Sequence, residues 1–124
     1  MILADTSIWI EMFRKGRFKT EMGNLIVKDE LCIHPFVVAE LACGTLPNRQ
    51  KTLAYFDQLV ALPIVRLADV RFVIEARRLW SKGIGLTDVE LIASCLATPG
   101  TQIWTIDRPL GRVADSLSVR AKLP

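Results

Sequence analysis

The stretch MILADTSIWIEMFRK, Met1–Lys15, decides how the rest of the chain is read. Ile2 to Ala4 is a short apolar run of strand type, and Asp5 follows it directly. Thr6 and Ser7 can cap a helix carrying Ile8, Trp9 and Phe13, and Gly16 ends that helix. Downstream, short apolar runs keep alternating with helical patterns, which indicates an α/β fold with a mostly parallel sheet.

Working outward, Phe18–Lys28 reads as a second helix and Leu31–Ile33 as a second strand. Pro35 suits the first turn of a helix running to about Cys43 and stopping at Gly44. Asn48 caps a helix through Leu59, and Pro63 precedes a strand expected over Ile64–Arg66. Asp69 is expected to cap an amphipathic helix with Phe72, Val73, Ala76, Leu79 and Trp80 on its inner face, ending near Gly83–Gly85. Thr87 caps a buried-looking helix over Asp88–Leu96. Pro99 and Gly100 turn the chain into a strand over Gln102–Ile106. Pro109 opens a last short helix with Leu110, Val113 and Leu117, before a final strand near Ser118–Arg120. The expectation is one α/β domain over residues 1–124, with a central, mostly parallel sheet of about four to five short strands flanked by helices.

Composition narrows the function classes. The chain has 124 residues, 51% of them hydrophobic, and a mean hydropathy of +0.31, enough to bury a core. No apolar run reaches the ~18 residues of a membrane span. Asp5 precedes any long apolar run and no basic segment leads it, so no secretory signal is expected and the chain reads as cytoplasmic. Cys32, Cys43 and Cys95 are odd in number, far apart and set in apolar sequence, which reads as buried thiols rather than a zinc pair or disulfide framework. The formal charge of +3 permits a nucleic-acid partner without requiring one.

Most of the 13 acidic residues sit among polar neighbours, and four do not. Asp5 directly follows the first strand, Glu40 lies in the apolar helix FVVAELACG, Asp88 starts DVELIASCL, and Asp107 directly follows the strand in IWTID. Asp5, Asp88 and Asp107 are each equally readable as helix caps. Glu40 has no such explanation and reads as a buried-looking acid without a sequence partner, although a distant Arg could pair with it. Ligands of parallel sheets collect at the carboxyl ends of strands, where Asp5 and Asp107 fall, so all four acids can reach one crevice. Clustered carboxylates repel, and a divalent cation removes that penalty. Hard oxygen donors in this number favour Mg²⁺ or Mn²⁺, which can activate water and stabilise charge on a phosphodiester under in-line attack.

The single histidine, His34, reads as structural or exposed, so a His-based acid/base pair is absent, as is a Ser–His–Asp triad. Gly83-Ile84-Gly85 lacks the phosphate-loop pattern.

Four segments in order resemble the motifs of the PIN-domain family, and within it the VapC-type toxins of bacterial toxin–antitoxin pairs. These are ILADTSIWIE, HPFVVAEL, GIGLTDVELIAS and WTIDRPLGRVA, and together they span nearly the whole chain. The resemblance implies a magnesium- or manganese-dependent endoribonuclease with Asp5, Glu40, Asp88 and Asp107 as catalytic and metal-ligating acids. Thr6 and Thr105 would then orient those carboxylates. It also implies an RNA target such as tRNA or rRNA, a homodimer, and a cognate antitoxin covering the site. Where relatives often carry His two positions after the third-motif Asp, this chain has Glu90, which helical spacing puts on a different face, at the periphery.

Arg108 and Arg112 lie just beyond Asp107 and are candidates for binding RNA or antitoxin, since acids in a pocket repel phosphate. Arg14, Lys15, Arg17 and Lys19 form a second basic group, equally readable as surface. Trp9, Trp80 and Trp104 read as core. Two other classes compete: a PIN-like module that holds RNA or protein without cutting, and a phosphoacceptor receiver domain. The latter lacks its acidic pair after the first strand.

Overall fold

The computed structural model describes all residues 1–124. In chain order the elements are β1 (Ile2–Ala4), α1 (Thr6–Lys15), α2 (Lys19–Val27), β2 (Leu31–Ile33), α3 (Pro35–Ala42), α4 (Arg49–Gln58), β3 (Val60–Ala61), α5 (Leu67–Arg77), α6 (Leu86–Ala97), β4 (Gln102–Trp104) and α7 (Arg108–Ser116). The four strands form one parallel sheet in the order β3-β2-β1-β4.

Leu3, Ala4, Cys32, Ile33, Ile103 and Trp104 are buried, as parallel strands covered by helices require. Leu3 stands opposite Cys32 on one side and Ile103 on the other, so β1 is the sheet's central rail. From β1 the chain lays β2 and β3 to one side, then returns to place β4 on the other. That reversal puts a crevice between the carboxyl ends of β1 and β4.

Several expectations need correction. The strand foreseen at Ile64–Arg66 lies earlier, at Val60–Ala61, where Cys32 faces Val60 and Ile33 faces Ala61. Leu62 N donates to Ile33 O, and Pro63, without an N–H, ends the ladder. The strand foreseen at Ser118–Arg120 is only a single bridge to Ile103. Strand β4 stops at Trp104, not Ile106.

The cap positions also shift. Asp5, not Thr6 or Ser7, caps α1, and its carboxylate accepts from Ile8 N. Asn48 sits at the α4 cap position but makes no side-chain cap bond. Asp69 lies in the first turn of α5, which starts after Arg66, and Thr87 lies inside α6, which starts after Gly85. Helix α5 ends at Arg77, well short of Gly83, because Arg78 turns left-handed at φ 54°. Leu79 and Trp80 therefore leave the helical phase. The inward face runs through Val70, Val73 and Ile74, while Phe72 is 72% and Trp80 53% exposed. Trp80 is thus not a core residue, and Cys43 is an exposed thiol, unlike Cys32 and Cys95. Burial pushes the Cys32 and Cys95 thiols up to about 11 and about 12. No helix is long and apolar enough to cross a membrane.

Candidate active site

Strand β1 ends at Ala4 and β4 at Trp104, and Asp5 N donates to Trp104 O at 3.0 Å. The two strands thus leave the sheet side by side, with Asp5 on one and Thr105 to Asp107 on the other. Asp5 is the buried member of the quartet, at 5% exposure, and it is surrounded by donors. One carboxylate oxygen accepts from Ser7 Oγ and from Ile8 N, and the other accepts from Thr105 Oγ1. Thr105 Oγ1 in turn accepts from Asp107 N at 3.0 Å, so one hydroxyl ties the two strand-end acids together.

The remaining acids come from helices. Asp107 caps α7, accepting from Leu110 N at 3.0 Å with Pro109 in the first turn. Asp88, in the first turn of α6, accepts from Gly85 N at 3.3 Å. Glu40, in the second turn of α3, accepts from Thr6 Oγ1 at 3.1 Å. None of the four is in an ion pair; the carboxylates that are belong to Glu11, Glu90 and Asp115.

Within the quartet, Asp88 feels the charges of Asp107 and Glu40, and Asp5 feels that of Asp88. Burial raises Asp88 above the ordinary carboxylate value, and the charges of Asp107 and Glu40 raise it further, against the Gly85 hydrogen bond. Burial also raises Asp5, with a contribution from the Asp88 charge, although bonds from Ser7, Thr105 and Ile8 oppose it. One expectation fails: Glu40 and Asp107 are exposed and Asp88 is half-buried, so of the four only Asp5 is buried. The apolar residues around Glu40 do not enclose it, because Val37 and Leu41 turn inward while Glu40 projects from the open side of α3. No three His, Cys, Asp or Glu side chains gather closely enough to hold a metal ion in a preformed shell.

Sequence reasoning missed two features. Ser7 serves Asp5 as directly as Thr105 does, and the hydroxyl run in Asp5-Thr6-Ser7 was the available signal. The second is a buried polar knot behind the site. Glu90 is not peripheral: it is 2% exposed, accepts from Val65 N, and lies 3.4 Å from His34 Nε2. His34 is fully buried. Its Nδ1 accepts from Phe36 N and so caps α3, and its Nε2 meets Ser94 Oγ at 2.9 Å. Ser94 gives its own proton to Pro63 O, so His34 is the donor to Ser94 and is neutral, with the proton on Nε2. Burial lowers its pKa, while the Glu90 carboxylate pulls the other way.

The basic residues divide. Lys15 and Arg17 pair with Glu11, whereas Arg108 and Arg112 on α7 have no carboxylate partner. The cleft richest in apolar residues, about 370 Å³, lies away from the acids, between α1, α2 and α4, beside Trp9, Phe13, Met22 and Phe56.

Comparison with known proteins follows the same lines. The PIN domain family matches residues 2–116. Two curated relatives, both named Ribonuclease VapC32, come from Mycobacterium tuberculosis strains CDC 1551 / Oshkosh and ATCC 25618 / H37Rv. Each is 36% identical over 110 residues, covering 89% of this chain and 87% of the relative.

Proposed function

The chain belongs to the PIN-domain family, in its VapC-type branch, and from that premise we propose that it is a metal-dependent endoribonuclease, the toxin of a toxin–antitoxin pair. The observation that carries the reading is the quartet gathered beside the carboxyl ends of β1 and β4, where burial first, and then the charges of Asp107 and Glu40, raise the Asp88 pKa. Acids left unpaired and mutually repelling in an open crevice are suited to a cation, and an all-oxygen donor set suits Mg²⁺ or Mn²⁺.

Asp5, Glu40, Asp88 and Asp107 would hold the cation. Their spread, wider than a closed coordination shell, suits Mg²⁺, which keeps several of its waters and accepts carboxylates through them. When bound, the cation supplies charge neutralisation for the phosphodiester and water activation. The chain's own residues do the orienting. Ser7 and Thr105 fix both oxygens of Asp5, Thr105 anchors the Asp107 backbone, and Thr6 steers Glu40. Arg108, one residue past Asp107 and without an acid partner, is placed to contact a phosphate.

The test is cleavage of tRNA and rRNA with Mg²⁺ or Mn²⁺, comparing wild type with Asp5→Asn and Asp88→Asn. Cleavage that survives both EDTA and the substitutions overturns the reading. The alternative is a module that binds RNA or protein without cutting. RNA binding with no metal-stimulated turnover on any RNA would select it.

For partners, the reading includes a homodimer and an antitoxin. Phe72, Leu67, Trp80 and Ile64 form exposed apolar surface on α5 and its flanks, of the kind that marks interaction sites. Phe72→Glu should convert a dimer to a monomer in sedimentation, and an unchanged mass would remove α5 from the interface.

A further inference from the structure

A second cavity, of about 500 Å³, opens between the C-terminal end of α5 and helix α7. Arg77, Arg78, Lys82 and Arg112 line it above a floor that includes Leu79 and Val113. None of the four cations has a carboxylate within ion-pair distance. Four unpaired, solvent-exposed positive charges around one cleft make a surface complementary to a polyanion.

Its construction favours the cations over local stability. Arg78 takes the left-handed conformation at the end of α5, where glycine is the unstrained choice. Ser81 and Gly83 also have positive φ, and Gly83 lies so close to Pro109 that an added Cβ would stand 3.3 Å from the proline ring. The loop carrying Lys82 is thereby seated against the start of α7, directly beside the Asp107 cap.

The position relative to the acids decides the occupant. Arg112 is five residues past Asp107, about 7.5 Å along the helix. Arg108 and Arg112 are one helical turn apart on one face. Arg112 lines the cleft together with Arg77, Arg78 and Lys82, so α7 carries basic residues from the Asp107 cap to the cleft, a direction suited to one strand leaving the acid crevice. We propose that this cleft is the binding track for the RNA backbone flanking the cut, engaging phosphates rather than bases. The proposal rests on the ribonuclease reading above and adds Arg77, Arg78 and Lys82 to it.

The test uses the full chain carrying Asp88→Asn, to suppress cleavage, and a fluorescent 20-nucleotide oligouridylate in binding titrations from 50 to 200 mM KCl. Adding Arg77→Gln, Lys82→Gln and Arg112→Gln should weaken binding at least tenfold. It should also lower the slope of log affinity against log salt by about 2, at ~0.7 per lost phosphate contact on a single strand. A control with the same charge change outside the cleft, Lys28→Gln, Lys51→Gln and Lys122→Gln, should lose far less. Arg78→Gly separates function from folding: it should raise the melting temperature while lowering RNA affinity. An unchanged slope in the cleft variant, or an equal loss in the control, overturns the proposal and leaves the cations to an acidic protein segment. A parent chain that binds no RNA at any salt overturns the ribonuclease reading as well. Cleavage by the wild type together with full binding by the cleft variant overturns the cleft alone.

Discussion

Asp88 and Glu90 stand two residues apart on α6 and differ in nearly every physical respect. Glu90 is buried, bonded to Val65 N and set beside His34. Asp88 is half-buried, holds only the Gly85 N–H, and faces other negative charges. The difference shows what marks a carboxylate as available. Burial alone does not, because Glu90 is the more buried and is held by Val65 N beside His34. Availability comes from unsatisfied acceptor capacity beside like charge, which only an incoming cation or proton relieves.

That contrast gives the largest predicted effect. Asp88→Asn should lower metal-dependent RNA cleavage by about a hundredfold or more, since even groups that merely orient metal ligands are worth ~10–100-fold. Glu90→Ala should do the reverse: cost about 1–3 kcal/mol by stranding the Val65 N–H while the folded fraction keeps most of its cleavage per molecule. Activity assays normalised to folded protein, with thermal melts alongside, check both. If Glu90→Ala abolished cleavage in a fully folded protein, the division between the two acids would collapse.

The same contrast explains what was legible in the sequence. Asp5 was placed correctly because it directly follows a strand end, a local signal, whereas Asp107 lies beyond a strand that already ends at Trp104. Alternation of short apolar runs with helices was enough for the parallel sheet. Glu40 was singled out for burial it does not have, since an apolar composition around a residue cannot say which side of a helix is covered. Glu90 was read as peripheral because its partners, His34 and Val65, lie 56 and 25 residues away in sequence and meet it only through the sheet crossovers. The inner face of α5 was misassigned for a related reason. Arg78 breaks the helix in a conformation that sequence reserves for glycine, so the 3.6-residue pattern was carried past its end.

A smaller effect sharpens the picture within the acid site. Thr105→Val removes the donor to Asp5 and the acceptor for Asp107 N, with little change of shape. Since the Thr105 hydrogen bond holds the Asp5 pKa down, its loss should raise that pKa further. Mn²⁺ affinity, measured calorimetrically, should fall about tenfold, with a larger deficit at mildly acidic pH than at pH 8. Equal affinity at both pH values would show that Thr105 does not tune Asp5.

The smallest predicted effect tests the repulsion itself. Asp5 and Asp88 are both raised from the ordinary value of 3.8, so the native state binds their protons more tightly than the unfolded chain does. Their contribution to stability is therefore full below the ordinary value and lost as pH rises through the raised ones. At neutral pH without metal, Asp88→Asn relieves that cost, and the melting temperature should rise by about 1–2 °C, the scale of a like-charge pair of a few tenths of a kcal/mol. The difference should vanish on acidification, as wild-type Asp88 takes up its proton. Added Mg²⁺ should reverse its sign, because a cation bound by the native state stabilises the wild type by mass action and has lost a ligand in the variant. A melting difference that ignored both pH and Mg²⁺ would mean that Asp88, like Glu90, is an acid already satisfied by the fold.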